Sequence, residues 1–242
     1  MNILFDIVIP VGPNDSNVIE SMVEFTKKNI IGYRNIYLVS YNPNIIIENC
    51  ITIDENIFEF NKKSIGEIIG NHDRVGWYLQ QLIKLYSGFT IPNILDNYLV
   101  IDSDTYFLKP TVFFKNGLPL YNYGTEYHLP YFNHMYKLHP SLFKQIEYSG
   151  ISHHMIFQKN ILVELFNLIE YYHKIEFWKI FLKCINQKDI LCSGSSEYEI
   201  YFNYLHIFHK KKFIIRPLKW TNTSILDINI DADYISYHWY MR

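Results

Sequence analysis

Asp102-Ser103-Asp104, in the stretch Asn97–Leu108 (NYLVIDSDTYFL), sets two carboxylates two positions apart, directly after the apolar run Tyr98–Ile101. Alternation along an extended chain turns Asp102 and Asp104 to one side and Ser103 to the other. Two carboxylates so close repel each other unless a cation sits between them. Hard oxygen donors suit Mg²⁺ or Mn²⁺. The same three residues also suit a plain turn at a strand end, because Asp and Ser are ordinary turn formers.

A second chemical stretch precedes it. Asn71–Leu85 (NHDRVGWYLQQLIKL) predicts a helix with Leu79, Leu82, Ile83 and Tyr86 on one face and Asp73, Trp77, Gln80 and Lys84 along another. If that polar stripe meets the end of the Asp-x-Asp strand, Arg74 and Lys84 offset phosphate charge, and Gln80 or Gln81 bind sugar hydroxyls beside Trp77. An ordinary surface helix carries the same pattern. Further on, Ser196 and Glu199 stand at capping-box spacing. Glu197, in the first turn with no capping duty, is the better candidate for a general base, although acidic residues favour helix starts in any case. His153 and His154, in Ser152–Gln158 (SHHMIFQ), compete as bases or acceptor binders, and alternation lets only one of them face a cleft. Glu197 and His154 are the expected catalytic residues.

The elements that would position these groups read as an α/β sequence. Ile3–Pro10 (ILFDIVIP), apolar except for Asp6, predicts a strand buried in a parallel sheet. Asp15 or Ser16 is expected to cap a helix running to about Asn29, and Asn35–Ser40 is a second strand. Residues 41–70 read as mostly loop, with short strands at Ile51–Ile53 and Ile57–Phe58. Beyond Pro110, residues 120–150 are rich in Tyr, His and Pro, and helical patterning spans Pro140–Glu147. Their aromatics suit stacking on sugars or packing in the domain's own core. Helices are expected at Lys159–Tyr172, Glu176–Asn186 and Ser195–His206, then a strand in Lys210–Pro217 and the tail Tyr234–Arg242 (YISYHWYMR). The expected fold is a central mixed, mostly parallel sheet flanked by helices.

Composition bounds the rest. A chain of 242 residues with net charge −2 and 19% charged residues lacks the basic surface of a nucleic-acid-binding protein. Cys50, Cys184 and Cys192 are odd in number and without zinc-type spacing, which suits a reducing, cytoplasmic compartment. No apolar run reaches transmembrane length, and Met1 leads into the first strand without a secretory pattern. Nothing in the sequence specifies an oligomeric state.

With Asp102-Ser103-Asp104, the preceding Gly76-Trp77-Tyr78-x-Gln80-Gln81-x-x-Lys84-Leu85 helix and the late His238, the chain resembles GT-A type glycosyltransferases, nearest the small viral and bacterial members that build surface glycans. The resemblance covers most of the chain in the family's order. It implies a single Rossmann-like GT-A domain, with residues 1–108 as the nucleotide-binding half and 109–242 as the acceptor-binding half. Val8-Ile9-Pro10-Val11 resembles the first-strand segment that holds base and ribose, and Gly12 allows close backbone approach. Asp102, Ser103 and Asp104 resemble the motif that binds the donor and its metal, with Asp104 the direct ligand beside Asp102. His238, in Tyr237-His238-Trp239, resembles a further metal ligand from the C-terminal segment, although the glycine that often comes after it in the family is missing. The resemblance also implies Mn²⁺ or Mg²⁺ as cofactor, a UDP-sugar as donor and a hydroxyl of a glycan or glycoprotein as acceptor. Ser195-Ser196-Glu197 resembles the helix start that carries the base of inverting members, so inversion is expected.

Two other readings compete. A haloacid-dehalogenase-like phosphatase also places Asp-x-Asp after an apolar strand. Here, however, Thr105 comes directly after Asp104 and the motif sits at mid-chain, and both features depart from that pattern. A nucleotide-sugar-binding module without turnover shares every one of these features, since fold and function are separable. A nucleotidyltransferase lacks its glycine-rich phosphate loop here.

Overall fold

All residues of the run Phe5–Val11 are buried, and as β1 this strand lies inside the sheet rather than at its edge. The structure is a computed structural model that describes residues 3–241, so Met1, Asn2 and Arg242 lie outside it. In chain order come α1 (Ile19–Asn29), β2 (Ile30–Ile31), β3 (Tyr33–Ser40), β4 (Ile51–Asp54), α2 (Lys62–Ile69), α3 (Val75–Thr90), β5 (Asn97–Ile101) and β6 (Thr105–Phe107). Then come β7 (Thr111–Val112), β8 (Phe114–Lys115), β9 (Leu118–Tyr121), α4 (Leu129–Leu138) and β10 (His154–Gln158). The chain closes with α5 (Lys159–His173), α6 (Phe177–Lys183), α7 (Glu197–Phe208), β11 (Ile214–Ile215), β12 (Trp220–Asn222) and β13 (Tyr234–Ser236).

Five strands form the main sheet in the order β10-β5-β1-β3-β4. The pairs β1–β3, β1–β5 and β3–β4 are parallel, whereas β10 runs antiparallel to β5. This is the mixed, mostly parallel α/β sheet flanked by helices that the sequence predicts. Asp6, the one polar residue in the first strand, is fully buried and satisfied. It accepts from Arg34 Nε at 3.0 Å, Arg34 Nη2 at 2.6 Å, the Asn35 amide at 3.1 Å and the Leu95 amide at 2.8 Å. A buried carboxylate is tolerated only with such partners, and these tie β1 to the chain entering β3 and β5.

Two glycines set how closely helices approach the site. A Cβ on Gly88 of α3 would stand 2.7 Å from Tyr98 Cε1 of β5. With no Cβ there, α3 lies close enough for the Tyr98 hydroxyl to donate to the carbonyls of Lys84 and Leu85. A Cβ on Gly150 would stand 2.5 Å from Phe202 Cβ, which seats α7 against the loop leading to β10.

Several local expectations are corrected. Pro13–Asp15 is a 3₁₀ turn and α1 begins only at Ile19, because the Asp15 carboxylate is drawn to Ser103 rather than to a helix start. Residues 62–69, read as loop, form α2 behind an Asn61–Ser64 capping box, with Ile65 and Ile69 as its buried stripe. No strand forms at Ile57–Phe58. The helix expected over Pro140–Glu147 lies earlier, as α4, with Pro130 in its first turn, where a missing N–H costs nothing. The final strand shrinks to Ile214–Ile215 on β9. Asp102-Ser103-Asp104 is not part of a strand at all: β5 ends at Ile101, and the Thr105 amide donates back to the Asp102 carbonyl in a tight turn before β6. Among the described residues, no helix is long and apolar enough to cross a membrane.

Candidate active site

A cleft of about 1320 Å³ opens over the C-terminal ends of β1, β3, β4 and β5, the edge at which open parallel sheets hold ligands. Pro10, Val11 and Gly12 border it from β1, and Arg74, Trp77, Gln80, Gln81 and Lys84 from α3 and its approach. Asp102, Ser103 and Asp104 enter from the β5–β6 turn, Glu197 from the start of α7, and His238 from the segment after β13.

Tertiary pairing brings the last of these in. β13 runs antiparallel to β6, with Ser236 opposite Thr105, and their hydroxyls are 3.0 Å apart. The Tyr237 amide then donates to the Asp104 carbonyl at 2.8 Å, and His238 Nδ1 comes within 2.9 Å of Asp104 Oδ2. Asp104 Oδ1 is buried with no hydrogen-bond partner among the described residues. Burial alone would lower the His238 pKa, but the Asp104 carboxylate outweighs it and holds the imidazole above its ordinary value.

Asp102 is differently placed. Its Oδ1 accepts from Lys84 Nζ at 2.6 Å and from the Tyr198 hydroxyl at 2.9 Å, and its Oδ2 lies 3.2 Å from His153 Nδ1. Burial favours its neutral form, yet Lys84 and His153 hold the carboxyl well below the usual carboxylate range. Both oxygens have protein partners, so Asp102, expected as a metal ligand, is held by Lys84, Tyr198 and His153 at the cleft border.

Lys84 also donates to Glu197 Oε1 at 2.7 Å, and its ammonium sits 4.4 Å from the centre of the Tyr198 ring. Burial pushes the Lys84 pKa down, and Asp102 and Glu197 more than reverse the effect. The ammonium, expected to offset phosphate charge, is bonded to two carboxylates. Glu197 stays above the ordinary carboxylate range because burial, helped by Asp102, outweighs the pull of Lys84.

Gln81, expected to bind a sugar hydroxyl, uses its Oε1 inside the protein, accepting from Ser195 Oγ at 3.1 Å and the Glu197 amide at 3.2 Å. Arg74 donates through Nη2 to Ser193 Oγ, and its guanidinium lies 4.3 Å from the centre of the Trp77 ring. Glu199 supplies only half of the expected capping box. Its amide donates to Ser196 Oγ, while its carboxylate accepts from Ser149 and Asn203 away from the cleft.

His154 is the one predicted site residue that does not border the cleft. Its side chain is buried among Phe107, Phe113 and Tyr234, and burial drops its pKa to about 3. An imidazole so hard to protonate, and enclosed by rings rather than lining the cleft, does not fit the expected base. His153, just before β10 and in a left-handed conformation at φ 60°, turns instead to the cleft, against Asp102 and the His238 ring.

Asp15 and Tyr198 also border the cleft, and the sequence does not single them out as site residues. Asp15 accepts from Ser103 Oγ at 2.7 Å, so Ser103 turns toward β1 rather than away from the site. Its signal was a carboxylate just past the end of a buried first strand. Tyr198 had none beyond its place next to Glu197. Among the described residues no group of three or more His, Cys, Asp and Glu side chains is arranged to hold a metal ion. No protein-family model matches this chain, and comparison with curated proteins found no match.

Proposed function

We propose that the protein is a metal-dependent glycosyltransferase that moves a sugar from a nucleotide donor onto a hydroxyl of a glycan, with inversion. One observation carries the reading: Asp104 and His238, far apart in the chain, meet in the cleft at the C-terminal ends of parallel strands, with the buried Glu197 bordering the same space.

The residues present fit a divalent cation in part. Mg²⁺-type sites commonly take one or two protein ligands and complete their shell with substrate phosphates and water. Asp104 offers an unpartnered Oδ1, and His238, whose Nδ1 faces Asp104, keeps Nε2 for a ligand in the manner of carboxylate-oriented metal histidines. Asp104 and His238 would hold the Mn²⁺ or Mg²⁺. Bound there, the ion would neutralise charge building on a leaving diphosphate.

The chain's own groups do the rest. Pro10, Val11 and Gly12 supply a close backbone edge for the nucleoside at the end of β1. Glu197, whose burial favours proton uptake, accepts the proton of the attacking hydroxyl. The exposed rings of Trp239 and Tyr240 at the cleft border offer faces for an acceptor sugar. The test is a screen of nucleotide sugars with and without Mn²⁺, reading nucleoside diphosphate release. The reading expects at least one donor to be consumed only when the metal is present, and release from none of them would overturn it.

A further inference from the structure

We propose that Lys84 is a positioning residue: its ammonium clamps the acceptor-side carboxylate of Glu197 to the donor-side carboxylate of Asp102, so that the two sides of the cleft are held as one unit. The purpose of the clamp rests on the transferase reading, whereas its existence does not.

The clamp is built from one helix. Gln81 and Lys84 stand three residues apart on α3 and so share a face. Gln81 holds the backbone start of α7 through the Glu197 amide, and Lys84 holds the Glu197 side chain at 2.7 Å. The other arm reaches Asp102 at 2.6 Å. The base of the lysine is fixed relative to β5, because the Tyr98 hydroxyl bonds the Lys84 carbonyl and the Gly88 contact seats the helix on that ring. Lys84 is 4% exposed and Glu197 3%, so solvent has little part in the arrangement.

The charged and titratable groups around it are few. Lys84 faces Asp102 from the β5–β6 turn and Glu197 with Tyr198 from α7. Asp102 has His153 and Tyr198 as further partners. Tyr131 of α4, itself near Arg74, feels the charge of Glu197. Lys84 is the single cation within hydrogen-bond distance of Glu197 among the described residues. Without it, the buried Glu197 carboxylate keeps the half-buried Asp102 as a negative neighbour and loses its cation, which favours its neutral form. Asp102 keeps His153 and Tyr198, so Glu197 takes up the proton. A protonated Glu197 cannot accept another from a hydroxyl.

The test reads Glu197 directly, on the full chain without metal or nucleotide. With ¹³C at glutamate side-chain carboxyls, the Glu197 resonance is the one lost in Glu197→Gln. In Lys84→Met its titration midpoint should rise by at least about one pH unit, and Lys84→Arg should return it to within about half a unit of the wild type. Asp102→Asn should move it the opposite way, downward, because one negative neighbour is gone and Lys84 serves Glu197 alone. A midpoint unchanged in a folded Lys84→Met protein overturns the proposal. If Lys84→Met does not fold, an Asp102→Asn midpoint that fails to fall overturns it instead. Should the midpoints move as expected while the wild type consumes no nucleotide sugar, the clamp stands and the transferase reading fails.

Discussion

His238 Nδ1 lies 2.9 Å from Asp104 Oδ2 across a separation of 134 residues. No local preference produces this contact. The antiparallel pairing of β13 with β6 does, by carrying the tail back over the turn after β5.

Asp104→Ala and His238→Ala are therefore expected to act alike. Even outer-shell changes around a metal typically cost about 10- to 100-fold in affinity or activity, so removal of a direct ligand should lower Mn²⁺ affinity by at least that much. Isothermal titration with Mn²⁺ plus a nucleoside diphosphate checks this. Wild-type affinity in either variant would remove the pair from the cation site.

Glu197→Gln preserves shape and removes the proton acceptor. Transfer should fall by about 10²- to 10⁴-fold, the usual contribution of a positioned base, while nucleotide affinity stays within about threefold. Measuring kcat beside nucleotide binding separates the two effects. A wild-type kcat would show that another group takes the proton.

Acid should destabilise the protein through two buried histidines. Burial lowers His134 to about 4 and His154 to about 3, against about 6.5 for an unhindered imidazole. Below about pH 6.5 the unfolded chain binds protons that the folded chain refuses, so stability falls as pH drops toward those values and is unaffected by these groups above about pH 7. Each histidine contributes a slope of about 1.4 kcal/mol per pH unit in that window. Urea midpoints between pH 7 and pH 5 measure it, and His154→Phe should make the curve shallower in that window.

Gly88→Ala tests the seat of α3. The added Cβ meets the Tyr98 ring at 2.7 Å, and overpacking of this kind costs about 1–3 kcal/mol. Thermal unfolding should show the loss, and turnover should drop with it, because α3 carries both Gln81 and Lys84.

Local patterning carried much of this protein in its sequence. The apolar runs at Phe5–Val11 and Asn97–Ile101, the helical stripe of α3 and the Ser196 cap each announce themselves within a few residues, because burial and capping act at short range. The same locality made Asp102-Ser103-Asp104, Glu197 and the neighbouring cleft residues legible as candidates. It could not separate His153 from His154, since β10 begins only at His154 and His153 takes a left-handed turn that its sequence does not announce. Tertiary structure alone decided that Asp102 is spent on Lys84, Tyr198 and His153, that Ser103 answers to Asp15, and that His238 reaches Asp104. Hydrogen bonds extend only about 3 Å, so their partners are set by how distant segments are brought together and not by spacing along the chain.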